Sequence, residues 1–242
     1  MLENNKYKIS VITATYNTES CIQNLIESLR AQQDKDFEWM VVDGASTDKT
    51  LEILNEVKDL NIKIISEPDF GIYDALNKGI KACSGEYYLV AGADDVFFEN
   101  AINDYKNAIF DGIDLITANI KIGNETLKPK NGSSWRFAQF AWVSGHALGL
   151  LIKKDLHQKF GFYSRKFPIA ADQLFIKNCC QNGAKVLYLE KIVGEFGETG
   201  LSSVDVIGTC VESYRVQLVT ENSKWIQTFI FIIRLLRRMK YI

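Results

Sequence analysis

The chain has 242 residues, 47% hydrophobic and 24% charged, which is enough apolar material for a substantial core and too much for a disordered protein. A net charge of −2 leaves no cationic footprint for nucleic acid, so no nucleic-acid partner is expected. The five cysteines, Cys21, Cys83, Cys179, Cys180 and Cys210, are odd in number and form no Cys-x-x-Cys pair, and no apolar leader opens the chain; both features predict reduced thiols in a cytoplasmic setting.

Residues 8–15 form a β-rich run that ends at Tyr16-Asn17-Thr18. Ile22, Leu25, Ile26 and Leu29 then fall on the i, i+3, i+4, i+7 spacing of an amphipathic helix. The unit repeats over 37–57, where Met40, Val41 and Val42 make a strand, 43–48 a polar loop, and Leu51, Leu54 and Val57 a helix face. Residues 62–65 supply a third strand, and Ile72, Ala75, Leu76, Gly79 and Ile80 line a third helix leading to a strand at 87–91. Four strands alternating with three helices predict an α/β fold with a parallel, Rossmann-like sheet flanked by helices.

The fourth strand ends at Gly92-Ala93-Asp94-Asp95. Ligands of an open α/β sheet sit at the C-terminal ends of its strands, so two carboxylates there suit a hard divalent cation, Mg²⁺ or Mn²⁺, bridging to substrate phosphates. They equally suit capping of the next helix, since Asp is favoured at N-caps. Asp43 stands at the end of the second strand on the same rim as Tyr16, placed either to accept hydrogen bonds from a base or ribose or to shape its own turn. The chain lacks both Gly-x-Gly-x-x-Gly after the first strand and a Gly-Lys-[Ser/Thr] phosphate loop, so another nucleotide mode is needed.

Four segments together resemble family 2 glycosyltransferases of the GT-A fold: Thr15-Tyr16-Asn17, residues 41–48, residues 67–79 from Glu67-Pro68-Asp69 to Lys78-Gly79, and Gly92-Ala93-Asp94-Asp95. The likeness covers roughly the first two hundred residues and is nearest to enzymes building colanic acid, capsule and O-antigen repeat units. It implies an inverting transfer from a nucleotide-diphosphate sugar, usually UDP-linked, to an acceptor hydroxyl, with Mn²⁺ or Mg²⁺. It further implies donor contacts at Thr15, Tyr16, Asp43, Asp74, Lys78 and Asp94, and metal at Asp95. Many members carry Arg just before the Asn of the third motif, where this chain has Leu76, which passes the diphosphate contact to Lys78. A non-catalytic nucleotide-sugar-binding or scaffold subunit is the alternative function.

Beyond residue 95 a strand is expected at 114–122, a mobile polar loop at 123–134, and then the aromatics Trp135, Phe137, Phe140 and Trp142, placed to stack on a sugar or to fill a core. His146 precedes an apolar strand at 148–152 and is either an acceptor or metal-diphosphate contact or a structural residue. Asp172 opens a helix carrying Leu174, Phe175 and Ile176; the resemblance makes it the general base that deprotonates the acceptor hydroxyl, with Glu198 and His146 as substitutes. A last strand is expected at 185–189 and a Gly-rich closing loop at 197–203.

The expected organisation is a GT-A domain over 1–203, with a nucleotide half at 1–95 and an acceptor half at 96–203, followed by a helical segment at 204–242. Residues 225–242 combine Trp225, Phe229 and Phe231 with Arg234, Arg237, Arg238 and Lys240, and reach Arg234 too soon to span a bilayer. They suit a helix lying in a membrane interface, giving access to a lipid-linked acceptor at the inner face of the cell membrane, or else a helix docked on protein.

Overall fold

The computed structural model describes residues 7–197 and 205–238. The first half alternates as expected: β1 (Tyr7–Thr15), α1 (Ile22–Arg30), β2 (Glu38–Asp43), α2 (Thr50–Asn55), β3 (Ile62–Ser66), α3 (Ile72–Ala82) and β4 (Gly85–Val90). β1 pairs in parallel with both β2 and β4, and β2 with β3, so the strand order is 3-2-1-4.

The side chains of these strands alternate between two cores. Ile9, Val11, Trp39, Val41, Tyr87 and Leu89 pack with Ile22, Leu25, Ile26 and Leu29 of α1, whereas Ile12, Met40, Val42, Tyr88 and Val90 pack with Ala75, Leu76 and Ile80 of α3. Helices thus cover both faces, which is why the strands read as apolar runs without a polar alternate.

The second half adds β5 (Val96–Phe97), α4 (Ala101–Asn107), β6 (Leu115–Ile122), β7 (Glu125–Leu127), α5 (Ser134–Phe137) with a 3₁₀ turn (Ala138–Ala141), β8 (Leu150–Lys153), α6 (Leu156–Phe160), α7 (Ala171–Gln181) and β9 (Val186–Glu195). β8 runs antiparallel to β4 and carries the sheet on through β6, β9 and β5, so this half is mixed. Residues 123–134 are not all loop, because Gly123 turns at φ 52° and returns the chain as β7 against β6. β9 is twice the expected strand: its second half carries Glu190 and Lys191, whose exposure hides it from a reading based on apolar runs.

Two final helices, α8 (Val206–Thr220) and α9 (Lys224–Arg238), pack on each other, and α8 packs on α7. Lys177 of α7 is fully buried, its Nζ bonded to Gln217 Oε1 and 2.5 Å from Glu221 Oε1. The Tyr214 and Phe231 rings stack at 4.4 Å, and Tyr214 Oη meets Thr228 Oγ1 at 2.7 Å. Trp225, Phe229, Ile232 and Leu236, at i, i+4, i+7 and i+11, form an exposed stripe on α9. Among the described residues no helix is long and apolar enough to cross a membrane.

Candidate active site

The C-terminal ends of β1, β2 and β4 form one rim. Thr15, the last residue of β1, is buried and donates from Oγ1 to Asp43 Oδ1 at 3.0 Å. Asp43 is fully buried at the end of β2, and its carboxylate also accepts from Ser46 Oγ at 2.5 Å, Ser46 N at 2.9 Å and Ser66 Oγ at 2.9 Å. Four donors fill a carboxylate's lone-pair positions, so Asp43 ties the ends of β1, β2 and β3 together, and a base N–H reaches it only where a hydroxyl turns away. Tyr16 stands above this knot, 63% exposed. Its loop is clamped to the next by Asn17, which donates from N to Ser46 Oγ at 2.8 Å and accepts from Thr47 N at 2.9 Å.

Asp74, in the first turn of α3, is held by two cations. Its carboxylate bonds to the Arg165 guanidinium and lies 3.7 Å from Lys78 Nζ, and Phe70 N donates to it at 3.3 Å. Burial alone would raise its pKa; the Phe70 N–H and Arg165 outweigh that and lower it. Lys78 also contacts Glu67 Oε1 at 2.9 Å and Pro68 O at 2.9 Å, which raises its pKa, chiefly through Glu67. Leu76 points into the core, 1% exposed. Arg165, on a loop ninety-one residues beyond Asp74, brings a second basic group to this helix start. Only the departure at Leu76 hinted in sequence that a cation had to come from elsewhere.

After β4, Asp95 is 0% exposed; Oδ2 accepts from Gly92 N at 2.7 Å and Oδ1 from Gly197 N at 2.8 Å. Burial pushes its pKa up to about 7; the Gly197 and Gly92 N–H groups pull the other way, and the Asp94 charge adds a smaller push. A Cβ at position 197 would lie 2.1 Å from Asp94 Cγ, so any larger residue there forces the Asp94 side chain to move. A buried carboxylate raised by burial beside a second carboxylate is a site that a cation relieves. Two adjacent carboxylates at a strand end are the kind of donor set that holds Mg²⁺ or Mn²⁺ with substrate phosphates completing the shell; among the described residues no group of three or more His, Cys, Asp or Glu is disposed to hold a metal. The loop expected at 197–203, with Glu198, lies beyond Gly197 outside the described residues.

Asp172 comes to this rim from α7. Ala147 bridges Val90, the last residue of β4, which sets His146 beside the acidic pair's strand, and His146 Nδ1 lies 3.9 Å from Asp172 Oδ2. Tyr73 Oη donates to Asp172 Oδ1 at 2.5 Å. The start of α7 is held from outside by Glu212 of α8, whose Oε2 accepts from Ile169 N at 2.9 Å and Ala170 N at 3.0 Å. His146 continues into a buried chain: Nε2 to Tyr163 Oη at 2.8 Å, Tyr163 to Tyr88 Oη at 2.7 Å, Tyr88 to His157 Nε2 at 2.6 Å, and His157 Nδ1 to Gly161 O at 3.0 Å. Burial lowers the pKa of both rings, His157 to about 4, against smaller opposing effects of Gly161 O and Asp172. Tyr73, Tyr163, Tyr88 and His157 carried no spacing signal of a site. Trp142 packs on the second core, whereas Phe137 and Phe140 lie under Lys130.

A family model described as "Glycosyl transferase family 2" matches residues 10–178, which span every residue of this rim except Gly197. A "PGL/p-HBAD biosynthesis glycosyltransferase" from Mycobacterium bovis (strain BCG / Pasteur 1173P2) is 30% identical over 207 residues, covering 79% of this chain and 77% of that protein. Among solved structures, S. aureus TarS 1-349 in complex with UDP-GlcNAc superposes with a TM-score of 0.69 at 22% identity, covering 97% of this chain and 73% of that one. The mannosyltransferase PcManGT from Pyrobaculum calidifontis, in complex with GDP-Man and Mn2+, gives 0.70 at 18% identity, covering 95% and 70%. These two likenesses establish the GT-A fold. With the family's profile running from β1 into α7, and a relative at 30% identity sharing over three quarters of its length, the chain belongs to glycosyl transferase family 2.

Proposed function

We propose that this chain transfers a sugar from a nucleotide-diphosphate donor, UDP-linked, to a hydroxyl of a glycan acceptor with inversion, and that the acceptor is lipid-linked in bacterial surface polysaccharide synthesis. The observation that carries this reading is the arrival of Asp172 from α7, 3.9 Å from His146, at the rim where β4 releases Asp94 and Asp95. Asp95, with Asp94, would hold the divalent cation. When bound, that ion supplies Lewis-acid neutralisation of the charge on the departing diphosphate.

The chain's own residues supply the rest. Tyr16 offers an exposed ring to the base above the Asp43 knot, and Ser46 Oγ turning aside opens Asp43 to the uracil N–H. Thr15 steadies Asp43. Asp74 and Lys78 border the diphosphate, with Arg165 as a further cation beside Asp74. Asp172 takes the proton of the acceptor hydroxyl as it attacks the anomeric carbon from the face opposite the diphosphate, and that opposition inverts the centre. UDP-GlcNAc in TarS and GDP-Man in PcManGT support a nucleotide-sugar donor in general. The choice of uracil rests on Asp43, because a carboxylate accepts an N–H.

The exposed stripe Trp225, Phe229, Ile232 and Leu236 supports a membrane-facing role for α9. Its opposite side docks on α8, so docking on protein and lying in a membrane interface are compatible. The test is release of nucleoside diphosphate from a panel of nucleotide sugars, with lipid-diphosphate-linked sugar acceptors and Mn²⁺ or Mg²⁺. UDP release that requires both acceptor and metal is expected; no release from any donor removes the proposal.

A further inference from the structure

With both buried imidazoles neutral, proton counting gives the chain from His146 to Gly161 a single direction. Gly161 O only accepts, so His157 Nδ1, 3.0 Å away, carries a proton. Burial lowers the His157 pKa to about 4, so the ring is neutral with a lone pair on Nε2, and Tyr88 Oη at 2.6 Å donates to it. Having spent its one proton, Tyr88 accepts from Tyr163 Oη at 2.7 Å. Tyr163 in turn accepts from His146 Nε2–H at 2.8 Å. His146 therefore presents a bare Nδ1 towards Asp172 Oδ2 at 3.9 Å.

We propose that Tyr163, Tyr88 and His157 are positioning residues that lock His146 in its Nε2–H tautomer, so that Nδ1 receives a hydrogen bond from Asp172 once that carboxylate has taken the acceptor's proton. While Asp172 is ionised, two acceptors face each other beyond bonding distance, and Oδ2 keeps its lone pairs for the incoming hydroxyl. The proton leaves the acceptor oxygen and binds Oδ2; the new O–H then donates to His146 Nδ1. The protonated state gains a bond that the ionised state lacks, which favours proton uptake. The opposite tautomer would point an N–H at Oδ2 and stabilise the charged form instead. The lock itself follows from the hydrogen-bonded chain with both buried rings neutral; its use in turnover rests on Asp172 being the base.

The test is ¹⁵N NMR of the full chain labelled in histidine. The chain has only two histidines, so the two rings are assigned with His146→Gln. The wild-type spectrum is expected to show protons on His146 Nε2 and His157 Nδ1. In Tyr88→Phe, Tyr163 loses its acceptor and turns its proton to His146 Nε2, so the His146 proton moves to Nδ1 and kcat falls about tenfold, as for one hydrogen bond, with donor affinity unchanged. A wild-type His146 protonated on Nδ1 overturns the lock, and this needs no variant to fold. A switched tautomer with unchanged kcat overturns its use at Asp172. Full turnover by Asp172→Asn, with the wild-type tautomer as stated, overturns the base assignment and not the lock.

Discussion

Tyr73 and Asp172, ninety-nine residues apart in the chain, meet at 2.5 Å between Oη and Oδ1. Tyr73 has one proton and a second acceptor in Ile169 O at 2.9 Å. Burial, with the Asp172 charge, raises the Tyr73 pKa well above its ordinary value, so the phenol stays protonated. It donates to Asp172 Oδ1, with Ile169 O as a second acceptor in reach of the same proton, and leaves Oδ2 as the oxygen that faces His146.

Asp172→Asn keeps the shape of the side chain and removes the proton acceptor. Turnover is expected to fall by about 10²–10⁴, the usual share of a general base, with donor affinity near wild type. Single-turnover kinetics with calorimetry of UDP binding separates the two; comparable turnover places the base elsewhere.

Asp95 gives a pH dependence of definite sign. Its folded pKa, about 7, lies above the ordinary carboxylate value of 3.8. The folded protein then holds more protons than the unfolded chain, so this group's contribution is fully present below the unfolded value and is lost as pH rises through about 7. Without added metal, Tm should fall between pH 5 and pH 8 through this group. Mn²⁺ binds the ionised carboxylate, so its increment in Tm should be larger at pH 8; a larger increment at pH 5 contradicts the metal assignment.

Gly197→Ala puts a Cβ 2.1 Å from Asp94 Cγ and displaces the N–H that bonds Asp95 Oδ1. Loss of such an outer contact is expected to weaken Mn²⁺ binding about 10–100-fold, read by titration of the protein with the metal. Wild-type affinity would show that the Gly197 N–H does not support metal binding at the acidic pair.

UDP is expected to bind more tightly than GDP by calorimetry, and Asp43→Ala to weaken UDP while also lowering Tm, since the donors Thr15 Oγ1, Ser46 N and Ser66 Oγ lose their acceptor. Tighter GDP binding rejects the uracil assignment.

Full-length chain is expected to float with anionic liposomes, and a Trp225→Ser, Phe229→Ser pair to lose at least tenfold in binding, as burial of each large apolar side chain contributes about 1.5–3 kcal/mol. Equal flotation of the two, or none by either, leaves α9 as a docked helix alone.

How much of this was legible in sequence differs by level. The β-α alternation of the first half was readable because each strand is buried on both faces, so an apolar run and a helical period mark every element locally. The acidic ends of β2 and β4 were readable too, because parallel strands all point their C-terminal ends at one rim. Polar strands escaped: β7 and the second half of β9 pair at the exposed side of the sheet, where no apolar pattern is required. Contacts across long separations were decided only by tertiary structure. The Tyr73–Asp172 contact, the Arg165 guanidinium on Asp74 and the His146–Tyr163–Tyr88–His157 chain join segments whose spacing carries no period. The four donors on Asp43 and the two sides of α9 follow the same rule, because a side chain's partner depends on which elements pack together. Sequence determined the sheet, its ligand-bearing rim and the kinds of groups along it; packing decided which of those groups touch, because a hydrogen bond depends on distance in space and not on separation along the chain.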